Sequence, residues 1–201
     1  MSGWSIHEGM GLALPMENID TDQLIPARFM SVPRSQGYGA YLLYDMRFDG
    51  DGGIVPDMPL NRHPDASILV TRRNFGSGSS REAAVYALVD YGIRAVIAPS
   101  FGDIFASNAV NNGLLPARMD EDLVEVLIAA LGDGTRKVRV DLEKGAVVIG
   151  DVDMPFELDP LWRTKLINGW DDIDMTASHA DAITAFRDAR RAAHSWAWPG
   201  N

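Results

Sequence analysis

The sequence predicts a mixed α/β domain whose strands are joined by parallel crossovers and also by a hairpin. Three observations predict it. Residues 67–73 and 93–98 are short apolar runs with β-branched members, separated by an alanine-rich segment of helical character. Strand, helix, strand at this spacing implies a parallel pair with a right-handed crossover. Further on, 136–142 and 146–150 flank Glu143-Lys144-Gly145 and read as an antiparallel hairpin. Two kinds of connection argue against a simple doubly wound sheet.

In chain order, residues 10–19 read as a strand ending in a polar knot, Asp20-Thr21-Asp22, before Leu24-Ile25-Pro26. Residues 31–63, rich in Gly, Pro, Asp, Arg and Tyr, read as a long loop. A loop of that length inside a domain is either functional or a mobile connector. The run SILVTRR (67–73) is a buried strand, and Asn74-Phe75-Gly76-Ser77-Gly78-Ser79-Ser80-Arg81-Glu82 follows it. Ala83 to Tyr91 reads as a helix stopped by Gly92. Ile93 to Ala98 is the second buried strand, ended by Pro99. Ser100-Phe101-Gly102-Asp103 opens a helix to about Val110, closed by Asn111-Asn112-Gly113, which tolerate left-handed backbone. Leu114-Leu115-Pro116 leads into a short extended piece. Residues 120–131 form a helix with acids in its first turn, where the helix dipole favours them. Leu161 to Asn168 reads as a short helix. Ala177 to about Trp196 reads as a final amphipathic helix, with Ile183, Phe186 and Ala189/Arg190 near one face.

Composition narrows the function. With 201 residues the chain is long enough for one domain with an appendage. It has no cysteine, which excludes disulfides, thiolate nucleophiles and cysteine-held iron–sulfur clusters within the chain. The net charge of −10, with no basic patch, argues against nucleic acid. The start, MSGWSIHEGMG, does not read as a secretory signal, and no apolar run is long enough to span a membrane. The expected location is the cytoplasm. His7, His63, His179 and His194 show no metal-ligand spacing.

NFGSGSSRE (74–82) is the candidate for chemistry. It is not a dinucleotide fingerprint, because Arg81 stands where the third glycine belongs, and it is neither a P-loop nor a nucleophile elbow. A purely structural account exists: Ser79-Ser80-Arg81-Glu82 matches a capping box, with Ser79 at the N-cap and Glu82 at N3. That account leaves Gly76, Gly78, Ser80 and Arg81 unexplained. Glycines admit close backbone approach, and hydroxyls, backbone N–H groups and a guanidinium together make a carboxylate receptor.

Three blocks resemble the aconitase family, in its small-subunit isopropylmalate dehydratase branch. They are Asn18-Ile19-Asp20-Thr21-Asp22-Gln23-Leu24-Ile25-Pro26, the NFGSGSSRE stretch, and Ser100-Phe101-Gly102-Asp103-Ile104-Phe105 with Asn108 and Asn112-Gly113-Leu114-Leu115-Pro116. The resemblance implies the swivelling β/β/α domain over 1–201, with about 171–201 as a C-terminal helical extension. It implies a large partner subunit carrying a [4Fe–4S] cluster, and a hydro-lyase reaction on a malate derivative. It gives Ser79 the role of catalytic base, Ser80 and Arg81 that of holding a substrate carboxylate, and Asp22 that of an active-site acid that orders its neighbours. Gly76 and Gly78 would let the substrate approach. Arg34, in Arg34-Ser35-Gln36-Gly37-Tyr38, falls in the segment that selects the malate side chain. No metal ligand is expected on this chain. It departs from the family in Gln36, an extra residue, in Ala83, where a histidine is usual, and in Ala106-Ser107. These departures keep open a related dehydratase for citramalate, dimethylmalate or homoaconitate, and a carboxylate-binding module without catalysis.

Overall fold

The computed structural model describes residues 2–198. β1 (Ile6–Leu14) starts earlier than the predicted strand and stops before Pro15, which lacks the N–H a ladder needs. α1 (Thr21–Leu24) is one turn, closed by a capping box in which the Asp20 carboxylate accepts from the Gln23 N–H. The predicted loop is a string of single turns. 3₁₀ turns occupy Ala27–Phe29, Arg34–Gln36 and Gly39–Tyr41, followed by α2 (Tyr44–Arg47) and α3 (Pro59–Arg62). Pro26 and Pro33 precede the first two turns and Pro59 opens α3. Leu42, Leu43 and Leu60 are fully buried, so this segment is pinned to the core and is no mobile connector. Its Gly and Pro content hides the few apolar anchors that hold it.

β2 (Ala66–Thr71), α4 (Glu82–Tyr91), β3 (Ala95–Ala98), α5 (Asp103–Asn111) and β4 (Leu115–Arg118) complete the parallel half. α6 (Glu121–Leu131) leads to β5 (Thr135–Asp141), β6 (Ala146–Ile149) and β7 (Val152–Pro155), then α7 (Pro160–Asn168). The seven strands lie in the order β4-β3-β2-β1-β5-β6-β7. β1 to β4 pair in parallel, while β5 to β7 run antiparallel beside β1. The mixed pairing is the one the sequence predicts.

Alternation along the strands builds a core on each face of the sheet. Leu69, Val96 and Ala98 join Leu88 and Phe105 on one face. Ile68, Val70, Ala95 and Ile97 join Val124, Leu127 and Val140 on the other.

The predicted final helix is two helices, α8 (Asp172–Ala177) and α9 (Ala180–Ala193). Asp171 caps α8 and starts it early. The Ser178 hydroxyl then donates to the Met175 carbonyl at 2.7 Å, taking an acceptor from the backbone ladder. No residue of α9 is buried. Among the described residues no helix is long and apolar enough to cross a membrane.

Candidate active site

Three parallel strands deliver the three sequence blocks to one edge of the sheet. Block one follows the carboxyl end of β1, NFGSGSSRE that of β2, and Ser100-Phe101-Gly102 that of β3. In open α/β sheets this is the edge where ligands bind. The blocks are tied together by main-chain bonds. The Gly76 N–H donates to the Ile19 carbonyl at 2.7 Å, and the Thr21 N–H to the Ser77 carbonyl at 2.9 Å. The Phe75 N–H donates to the Ser100 carbonyl at 3.1 Å, and the Gly102 N–H returns to the Phe75 carbonyl at 2.9 Å. Asn18 and Asn74, both with left-handed backbone, join through their side-chain amides at 2.8 Å.

Ser79 is exposed, and it is not the helix cap. α4 begins at Glu82 with Arg81 in the N-cap position, and no side chain caps it. The predicted capping box therefore does not form. The chain makes a tight turn instead, with the Arg81 N–H on the Ser79 carbonyl at 2.8 Å, and that carbonyl also accepts from the Thr21 hydroxyl at 3.1 Å. These bonds fix the Ser79 backbone and leave its hydroxyl available. Ser80 is exposed beside it. Arg81 forms an ion pair with Asp22, the guanidinium mostly covered (side chain 20% exposed) and the carboxylate open (56%). The two predicted site residues meet: Asp22 holds the guanidinium of Arg81, two positions along the chain from Ser79.

The two glycines differ. At Gly76, with φ of +70°, a Cβ would stand 2.2 Å from the Phe105 ring, so no side chain fits. Gly78 is exposed, has φ of +92°, and has room for a Cβ at 3.6 Å from Asp20. Gly76 seats the turn on the aromatic floor of Phe75, Phe101 and Phe105, whereas Gly78 supplies only the left-handed backbone.

Arg34 stands apart from this cluster. It makes two hydrogen bonds to Asp90, at 2.6 and 2.9 Å, and lies 4.3 Å over the Tyr86 ring. Ala83 is buried in the core, so its methyl group takes no part in the exposed cluster. Gln36 is exposed at the end of the 3₁₀ turn Arg34–Gln36. Sequence reasoning missed Thr21 and Asn112 as supports: Asn112 donates to the Glu82 carboxylate at 2.9 Å and so steadies the first turn of α4. Both lie inside the quoted blocks, so their neighbourhood was legible but their partners were not. A cleft of about 440 Å³ opens beside the third block, lined by Ser100, Phe101, Asp103, Arg118 and Trp162 among others, and Ser79 is not in its wall. Among the described residues no group of three or more His, Cys, Asp or Glu side chains could hold a metal ion.

An uncapped helix start, two serines, an ion-paired guanidinium and a glycine turn lie together at the carboxyl edge of a mixed sheet on an α/β domain, groups of the kind that bind small anions. The aconitase C-terminal domain family matches residues 1–122. Curated relatives include 3-isopropylmalate dehydratase small subunits of Rhodopirellula baltica, 46% identical over 94% of this chain and 100% of that protein, and of Rhodospirillum centenum, 43% identical over 98% and 99%. The solved 3-isopropylmalate dehydratase of Methanocaldococcus jannaschii superposes with a TM-score of 0.63 at 27% identity, over 92% of this chain and 99% of that one. The chain belongs to the aconitase C-terminal domain family, in the branch of the 3-isopropylmalate dehydratase small subunits.

Proposed function

We propose that this chain is the small subunit of a cytoplasmic hydro-lyase that interconverts 2-isopropylmalate and 3-isopropylmalate through isopropylmaleate, the step used in leucine biosynthesis. It works with a large subunit that carries a [4Fe–4S] cluster. The observation that supports this most is the placement of exposed Ser79 in the same turn as Arg81, which pairs with Asp22, at the strand ends of a chain whose relatives are dehydratase small subunits. This reading assigns the cluster to the partner, consistent with a chain that has no cysteine. When bound there, it supplies Lewis acidity toward the departing hydroxyl.

Ser79 Oγ removes the proton from the carbon adjacent to a substrate carboxylate. The C–H electron pair becomes the new double bond as the hydroxyl, taking up a second proton from solvent, leaves as water, and rehydration reverses the steps at the neighbouring carbon. A free serine alkoxide is too basic to exist at neutral pH, so the site must stabilise it. The Arg81 guanidinium and the N–H groups of the uncapped first turn of α4 provide that stabilisation. Ser80 and Arg81 hold the substrate carboxylate, Asp22 orients Arg81, and Gly76 and Gly78 let the substrate reach the backbone. Arg34 faces the malate side chain.

Gln36 favours one second reading. It extends the turn that carries Arg34, which would suit a related dehydratase acting on citramalate, dimethylmalate or homoaconitate. The test is anaerobic reconstitution with the large subunit, assayed against a panel of 2- and 3-hydroxy diacids. The expected result is no turnover by either chain alone and turnover of isopropylmalate by the pair. Turnover by this chain alone, or a pair inactive on every diacid, contradicts the proposal. A preference for another malate selects the second reading.

A further inference from the structure

Glu82, Tyr86 and Asp90 follow one another at four-residue spacing, so they form a stripe on one face of α4. The stripe starts at the turn that carries Ser79, Ser80 and Arg81 and ends at Asp90. The strap formed by residues 33–41 lies across its far end, and its attachments converge on Asp90. Arg34 Nη1 and Nη2 donate to the two Asp90 oxygens at 2.6 and 2.9 Å, and the Tyr38 N–H donates to Oδ2 at 2.7 Å. Gly39 packs on the Asp90 main chain so closely that a Cβ there would meet its carbonyl carbon at 2.6 Å. Gly37, with φ of +76°, turns the strap beside the same carboxylate. The Arg34 guanidinium also lies over Tyr86, at 4.3 Å, which fixes its plane.

We propose that Asp90 is a positioning residue for substrate selection: it pins the 33–41 strap to α4 and holds the Arg34 guanidinium over Tyr86, aimed along the stripe that leads to Ser79. This rests on the dehydratase reading above. Asp90 uses two of the five guanidinium N–H groups and so fixes the fork in one orientation. A fork held in one orientation before substrate arrives loses less freedom when it binds. Asp90 touches no reacting atom. The Arg34 side chain is 45% exposed and that of Asp90 20%, and surface ion pairs of this kind add little to stability. A function in binding therefore separates from a function in folding.

Asp90→Asn keeps an acceptor for the Tyr38 N–H and removes the charge that holds Arg34. In the reconstituted two-chain enzyme it should raise KM about tenfold with kcat held within about threefold. Asp90→Glu should recover part of the loss. Arg34→Gln should give the same KM defect, and the double variant should be no worse than Arg34→Gln alone. A kcat loss at unchanged KM, an unchanged KM, or additive effects in the double variant would overturn the proposal. Turnover by the wild-type pair decides the dehydratase reading separately. Hydrogen exchange on the unpartnered chain tests the pin without any activity: Asp90→Asn should speed exchange across 33–41 by about tenfold or more at unchanged Tm. Unchanged protection there would also overturn it.

Discussion

At the residue scale, the tightest constraint is the contact between Gly76 and Phe105. A Cβ at 76 would stand 2.2 Å from the ring on a left-handed backbone, so Gly76→Ala meets both strain and overlap. It should lower the unfolding free energy by about 3 kcal/mol, against about 1–2 kcal/mol for Gly78→Ala, where only the backbone resists. Urea titration measures both. If the overlap is the cause, the cost of Gly76→Ala falls in a Phe105→Ala background, because the ring is gone. Equal cost in both backgrounds would assign it to the backbone alone. His7 sets a second residue-scale expectation. Burial first, and Arg94 second, hold its imidazole below the ordinary value of 6.5. Its ring Nε2 lies 2.9 Å from the Ser67 hydroxyl. The unfolded chain takes up a proton that the folded chain resists, so this contribution is full above pH 6.5 and is lost as pH falls below it. Asp141 and Asp172 are held below their ordinary 3.8, so their contributions persist through that window and fade only at lower pH. The fall in Tm between about pH 6.5 and 5 should therefore flatten in His7→Gln.

At the element scale, the sequence exposed some elements and hid others for physical reasons. The parallel β2–α4–β3 unit was legible because its apolar runs are bounded by Gly92 and Pro99. The start of α4 was misjudged because Ser79 and Glu82 satisfy the spacing of a capping box, while the Thr21 hydroxyl, 58 positions away, takes the Ser79 carbonyl into a different turn. Nothing local announces that competition. The turns of 26–62 were hidden in the same way: Leu42, Leu43 and Leu60 have no period of their own and are fixed by the core they meet. The break between α8 and α9 came from the Ser178 side chain, a residue that also fits an exposed helical position. α9 has no buried residue, and Ile183 and Phe186 are 48% and 67% exposed. Deleting residues 180–201 should therefore shift Tm by no more than about 2 °C, as expected for surface changes of under half a kcal/mol. A larger drop in a thermal melt would mean that the helix contributes to the folded core. Lys165, which joins the Asp172 carboxylate and donates to the Asn111 amide oxygen at 3.0 Å, keeps α8 attached in that variant.

At the scale of the whole molecule, the fold's contribution is to bring distant sequence to one edge. Asp22, Arg81 and Ser100 come from segments after three different strands, and parallel pairing places all three strand ends together. Each block alone is ambiguous. Their coincidence at one edge is what makes the cluster a candidate site, which the resemblance points to and composition alone does not. The cluster stands on open surface rather than inside this chain, which suits a site completed by a second protein. The central claim is that the Ser79 hydroxyl carries the substrate proton. Its most direct test follows deuterium incorporation from D₂O into isopropylmalate by the anaerobically reconstituted pair, with wild-type chain and with Ser79→Ala. The wild-type pair should exchange the hydrogen on the carbon next to the carboxylate, and Ser79→Ala should slow that exchange by about 10²–10⁴-fold at nearly unchanged Tm. Exchange at the wild-type rate in Ser79→Ala would contradict the account.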